Sequence, residues 1–252
     1  GNIANGAAIA RIEQDGAGGT VMDLVDGSLL VGCTYGSSNL AVSTWSNVSG
    51  TLNLRDADFD VTSDDVACTD SASLGDLTGD GAAELIVGGS DADGNWSLFY
   101  ADSALRSSGG GVALEDLAAY GAYSSGTLFS TLPDLTGDGY DEAMISLPTA
   151  DALSTGDGRT WIINGDDWSP AWSNAALATI SGGVSGASIR PGSLGDPDDD
   201  GAQDLTIGAP GQGSVYWVAV SALVAGGVAV PAAATPSFHD TTGGALFRTN
   251  AW

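Results

Sequence analysis

Three times this chain sets an acidic, glycine-bearing loop directly before a short apolar run. Asp76-Leu-Thr78-Gly-Asp80-Gly81-Ala82-Ala-Glu84 runs into Leu85-Ile-Val-Gly88, and Asp134-Leu-Thr136-Gly-Asp138-Gly139-Tyr140-Asp-Glu142 into Ala143-Met-Ile-Ser146. Asp196-Pro-Asp198-Asp-Asp200-Gly201-Ala202-Gln-Asp204 runs into Leu205-Thr-Ile-Gly208. The leading Asp recurs about sixty residues apart, and the flanks keep that beat. Upstream stand Gly126-Thr-Leu-Phe, Gly186-Ala-Ser-Ile and Gly244-Ala-Leu-Phe; downstream come Trp96-Ser-Leu-Phe-Tyr100, Trp161-Ile-Ile-Asn164 and Val215-Tyr-Trp-Val218. Short apolar runs bounded by turn residues, with no helical periodicity, predict an array of small sheets.

A fourth copy comes first. Asp23-Leu-Val-Asp26-Gly27-Ser28-Leu-Leu-Val-Gly32 matches Asp76 to Gly88 but is shorter and lacks the acids at positions 5 and 9. It is expected to keep the fold without an ion, with Leu40 to Trp45 as its next strand. Each unit reads as four strands: one entering the loop, one leaving it, an aromatic-rich third, and a looser fourth such as Ala176 to Ile180. Such sheets have two faces and two edges to cover. Radial stacking does both, so the fold class expected is all-β, a β-propeller of four-stranded antiparallel blades. The units expected are about 16–67, 68–125, 126–185 and 186–243 within a single domain 1–252, with partial blades at 1–15 and 244–252.

The loops carry oxygen-bearing side chains at positions 1, 3, 5 and 9 and Gly at position 6. A hard divalent cation is held by such an oxygen cage, the Gly allowing the sharp turn. An EF-hand shares this start but needs a bidentate acid at position 12 on a following helix. Here position 12 is Val87, Ile145 or Ile207, which argues against it. Plain Asx turns without an ion are the other reading, and the acid at position 9 argues against that one.

Net charge −26 and the absence of lysine exclude nucleic acid and anionic membranes as expected partners and favour cations. The uncharged stretch 215–234 is long enough to span a bilayer, but its Gly and Pro residues and its place in the repeat predict no membrane insertion. Cys33 and Cys68 allow one disulfide or two buried thiols. In the repeat register they fall at the same end of neighbouring units, where a disulfide is a hypothesis. With neither Met nor leader at Gly1-Asn2, any secretion signal is expected to have been removed or left out.

Leu74-Gly-Asp76-Leu-Thr78-Gly-Asp80-Gly81, with Ile207-Gly-Ala-Pro210 and Ser214-Val-Tyr-Trp217, resembles the FG-GAP repeat of integrin α-subunit β-propellers and related bacterial repeat proteins. The likeness covers roughly 16–252. It implies Ca²⁺, about three ions, in the hairpin loops on the face opposite the ligand-binding loops, bracing the ring. Carried over residue by residue, the ligands would be Asp76, Thr78, Asp80 and Glu84; Asp134, Thr136, Asp138 and Glu142; and Asp196, Asp198, Asp200 and Asp204. Ala82, Tyr140 and Ala202 would offer backbone carbonyls. Thr at position 3 departs from the usual acid or amide and predicts weaker first and second sites. Family rings have seven blades against four units here. The chain also reads as starting in a fourth strand and ending in a first. Part of a larger ring, a half-ring paired with another chain, and a small ring with a spare segment are all compatible with that.

The function expected is therefore a secreted or cell-surface calcium-binding module for adhesion or recognition of a protein or glycan, and not an enzyme. The alternatives are an enzyme or accessory module acting on glycans or surface polymers, and a structural stalk. His239 is the single histidine, and no nucleophile elbow, phosphate loop or Cys/His cluster occurs. The tract Arg55 to Asp65 reads as a solvated linker rather than an additional cation site, and Trp168 and Trp172 fall in a connecting loop that could bind a ligand such as a glycan.

Overall fold

Alternation and β-branching turn most of these apolar runs into strands. The computed structural model describes residues 10–13, 21–25, 28–32, 40–45, 50–53, 58–62, 67–90, 96–101, 110–113, 116–122, 127–168, 176–196, 199–225, 228–229 and 235–239. They are all-β in character, divided into two compact units. The first comprises residues 1–73, 82–123 and 252; the second comprises 74–81 and 124–251.

In the first unit, β1 (Ala10–Glu13) pairs in parallel with β5 (Gly50–Asn53). A meander of β2 (Val21–Val25), β3 (Ser28–Gly32), β4 (Leu40–Trp45) and β6 (Phe59–Thr62) follows, with β10 (Gly110–Ala113) parallel to β6 at its edge. Val25 pairs with Ser28, so only two residues separate the paired strands of the decayed first copy, where its sisters carry nine-residue acidic stretches. The next meander runs β7 (Ala67–Gly75), β8 (Glu84–Ser90), β9 (Trp96–Ala101) and β11 (Ala118–Ala122).

The tract read as a linker contains β6, a correction to that expectation. Phe59 and Val61 are 2% and 0% exposed. Two buried apolar residues at period two decide its conformation, and the acids between and beside them do not prevent it. Cys33 lies outside the described residues, and its pairing with Cys68 lies outside them too.

The second unit holds two meanders. One runs β12 (Leu128–Leu132), β13 (Glu142–Leu147), β14 (Arg159–Asn164) and β15 (Ala178–Ser181), with β19 (Val228–Ala229) parallel to β15. The other runs β16 (Arg190–Gly195), β17 (Asp204–Ala209), β18 (Ser214–Ala219) and β20 (Thr235–His239). Their shared core includes Met144, Ile162 and Ile180 from the first sheet and Leu205, Ile207, Tyr216 and Val218 from the second. β13 is buried from Glu142 through Ser146, so both its faces are covered, as its continuous apolar run requires. β18 stops at Ala219, and Val220–Val224 forms one short helix, α1, that buries Leu223. Among the described residues no helix is long and apolar enough to cross a membrane.

In the first meander of this unit, antiparallel order puts loop 133–141 and the turn at 165–168 at one end and loops 148–158 and 182–189 at the other. At that second end Asp157, fully buried, accepts from the N–H groups of Ala152 (2.8 Å), Leu153 (3.0 Å) and Gly183 (3.0 Å). Those bonds hold its carboxyl below the ordinary carboxylate range despite the opposing cost of burial. A Cβ on Gly182 would overlap the Asp157 carbonyl, so the loops at this end pack backbone to backbone.

Candidate metal centre

Each acidic loop winds around its leading Asp. Asp76 Oδ1 accepts from the N–H groups of Gly79 (2.7 Å) and Asp80 (3.1 Å), and its Oδ2 accepts from Gly81 (2.7 Å). Asp134 repeats this with Gly137 (2.6 Å), Asp138 (3.2 Å) and Gly139 (2.9 Å). Asp196 takes Asp200 and Gly201, both at 3.0 Å. A carboxylate that receives several N–H groups favours its charged form, and Asp134 lies below its ordinary pKa, with the Gly139 N–H as the main cause.

The winding needs left-handed backbone twice. Position 6 is Gly81, Gly139 or Gly201, with φ of 86°, 94° and 85°. Position 4 is Gly79 or Gly137, at 73° and 80°, and in the third loop Asp199 takes φ 60°. Asp tolerates that region better than most side chains, which lets the third loop close without a second Gly.

Position 9 opens the following strand in all three loops and is buried: Glu84 and Glu142 are 0% exposed and Asp204 5%. Position 12 lies inside that strand, and Ile145 and Ile207 are each 1% exposed. No helix follows any of the loops, so they are not EF-hands.

In the second loop the acid at position 9 lies buried beneath the exposed Asp134 and Asp138. Glu142 Oε2 accepts the Leu135 N–H at 2.8 Å, whereas its buried Oε1 has no hydrogen-bond partner. Burial, aided by the charges of Asp134, Asp138 and Asp141, pushes its carboxyl up to about 7, against the pull of that Leu135 bond. Asp138 is exposed. Its Oδ2 takes Asn164 Nδ2 at 2.6 Å and its Oδ1 the Tyr140 N–H at 3.0 Å, and the Asn164 bond is the main reason its carboxyl is lowered. Thr136 Oγ1 stands 3.5 Å from Asp134 Oδ1.

The expected ligands thus divide. Asp134, Thr136, Asp138 and Glu142 share one small neighbourhood, with Asp134 and Asp138 at the surface and Glu142 beneath. Thr78, Asp80, Asp200 and Ala202 are exposed, Asp76, Ala82 and Tyr140 are half-buried, and Asp198 lies outside the described residues. Among the described residues no three His, Cys, Asp or Glu side chains stand ready-assembled around one point. Asn164 was not anticipated. It sits at the end of β14, on the same side of the sheet as the loop, and also caps the 3₁₀ turn Gly165–Asp167. Nor was Asp141, whose carboxylate accepts from both Asp76 N–H (3.0 Å) and Asp134 N–H (3.1 Å).

The donors of the second loop suit a hard cation. They are carboxylate and hydroxyl oxygens, and one buried oxygen lacks any donor of its own. The chain matches none of the protein-family models, and a search of curated proteins gives no match.

Proposed function

We propose that this chain is a calcium-binding β-propeller of the FG-GAP type, extracellular, serving adhesion or recognition of a protein or glycan, with the ions bracing its blades. The observation that carries the calcium reading is Glu142, a fully buried carboxylate with one undonated oxygen under a loop of three further acids. Burying a carboxylate without a counter-charge costs several kcal/mol, and a divalent ion removes that cost. Asp134, Thr136, Asp138, the Tyr140 carbonyl and Glu142 would hold the ion in the second loop. The corresponding residues at 76–84 and 196–204 would hold two more. Bound Ca²⁺ would supply charge neutralisation and a fixed loop shape, not reaction chemistry.

The propeller reading is supported by repeated four-stranded meanders and by strands such as β13 that are covered on both faces. Recognition is assigned to the end of the sheet away from the acidic loops. There Leu153 is 66% and Val184 45% exposed, on loops tied together by Ser154 Oγ to Gly183 O (3.4 Å). Calorimetric titration with Ca²⁺ tests the reading, together with thermal melts in Ca²⁺ and in EDTA. At 100 times Kd each independent site adds about 2.7 kcal/mol, so chelation should lower Tm by several degrees. Absent heat and an unchanged melt would refute it.

A further inference from the structure

We infer that Asp141 couples the first two calcium loops, making binding in them positively cooperative; the inference rests on the calcium reading above. Asp141 is position 8 of the second loop, between Tyr140 and Glu142, two of that loop's proposed ligands. Its side chain nevertheless reaches the first loop. Oδ2 accepts the Asp76 N–H at 3.0 Å, Oδ1 accepts the Asp134 N–H at 3.1 Å, and the Asp141 N–H donates to Asp76 O at 2.8 Å. One residue thus grips the leading Asp of both loops, and grips Asp76 by both its backbone groups.

Side-chain packing supports the same juncture. A Cβ on Gly79 would stand 3.0 Å from the Tyr140 ring. A Cβ on Gly165, whose N–H donates to Asp141 O at 3.2 Å, would stand 2.8 Å from Leu77 Cα. At Gly165 a side chain would have to push backbone aside, and at Gly79 the Tyr140 ring would have to give by a few tenths of an ångström. Position 8 is Ala83 in the first loop and Gln203 in the third, so a carboxylate clamp of this kind occurs once among the three.

The coupling follows from chain geometry. An ion drawn to the buried Glu142 oxygen and the Tyr140 carbonyl fixes the backbone on either side of Asp141. Fixing Asp141 fixes the Asp76 peptide, and through it the carboxylate around which Gly79, Asp80 and Gly81 wind. The ordering cost of the first loop then falls when the second is filled, and by linkage the reverse holds equally. Asp141 acts as a positioning residue and donates nothing to either ion.

The test uses the full chain with the third loop silenced by Asp200→Ala. Calorimetry with Ca²⁺ gives the overall two-site constant, and adding Asp80→Ala or Asp138→Ala gives each remaining site alone. The two-site constant should exceed the product of the single-site constants about tenfold, within the usual range of such couplings. Asp141→Ser should bring that ratio to one while both ions still bind. A ratio of one with Asp141 intact overturns the coupling and leaves the calcium reading standing. A ratio that stays near ten in Asp141→Ser overturns the role of Asp141. If Asp141→Ser does not fold, the ratio with Asp141 intact decides alone. No Ca²⁺ uptake by the unaltered chain overturns both.

Discussion

Replacing Glu142 by Gln should change the sign of its effect with calcium. The two side chains have nearly the same shape, and Gln keeps an oxygen for the Leu135 N–H. What it removes is a charge that burial and three neighbouring acids disfavour. A rise from the ordinary 4.5 to about 7, at about 1.4 kcal/mol per tenfold change in proton affinity, sets an upper bound of roughly 3 kcal/mol. Asp134 and Asp138 are exposed and screened, so roughly 1–2 kcal/mol is the sounder expectation. The sign follows from proton linkage. The folded, ion-free chain holds this proton more tightly than the unfolded chain, so its stability falls as pH rises from about 4.5 to about 7 and then stays level.

At pH 8 in EDTA, Glu142→Gln should therefore melt higher than the parent, by about 2–4 °C per kcal/mol. In millimolar Ca²⁺ the order should reverse, because the variant has lost a charged ligand and binds the ion more weakly. Melts of both proteins in both media, repeated at pH 5, give the full pattern. At pH 5 in EDTA the gap should be narrower, because only part of the linkage cost has accrued there. If Gln lowers the melt equally with and without calcium, Glu142 is only an acceptor for a loop N–H and the ion reading of this loop fails.

Three further outcomes are expected. Asp157→Asn leaves one of three N–H groups on this buried side chain facing an amide donor, and should cost about 2 kcal/mol in urea unfolding whether or not calcium is present. Because the folded carboxyl of Asp157 is lowered, its contribution should be complete above about pH 4 and be lost as pH falls through the folded value, a loss the Asn variant would not show. Asp199→Gly should stabilise the third loop by roughly 1 kcal/mol, since φ 60° suits glycine better than aspartate; a loss of stability would mean the side chain holds the turn. Thr136→Asp, which gives the second loop the acid that the third carries at position 3, should tighten its Ca²⁺ affinity about tenfold by calorimetry. Unchanged affinity would show that charge count does not rank these sites.

What could be read in the chain followed from how far each signal reaches. The hairpins around the acidic loops were legible because loop and strands are contiguous: Leu132 pairs with Glu142 and Gly195 with Asp204, each pair closing one loop. The strand β6 was not, since its acids at 56, 58 and 60 outweighed the Phe59–Val61 alternation, although β6 lies between β4 and β10 in its sheet. The parallel edge pairings of β10 with β6 and β19 with β15 join segments too short to carry a register in their own residues.

The same limit applies inside the candidate site. Positions 1, 3, 5 and 9 stand out in the sequence because their spacing is local to one loop. Asp157 had no such spacing, since its partners Ala152, Leu153 and Gly183 come from two loops and none is a distinctive residue type. Asp141 stands at position 8, outside that spacing, and its partner Asp76 lies 65 residues away, in the preceding repeat. A period shows that two loops are alike, but it carries no information on whether they touch. Only the fold, by bringing Tyr140 over Gly79 and Leu77 against Gly165, converts a repeated loop into a pair of loops that can respond to one another.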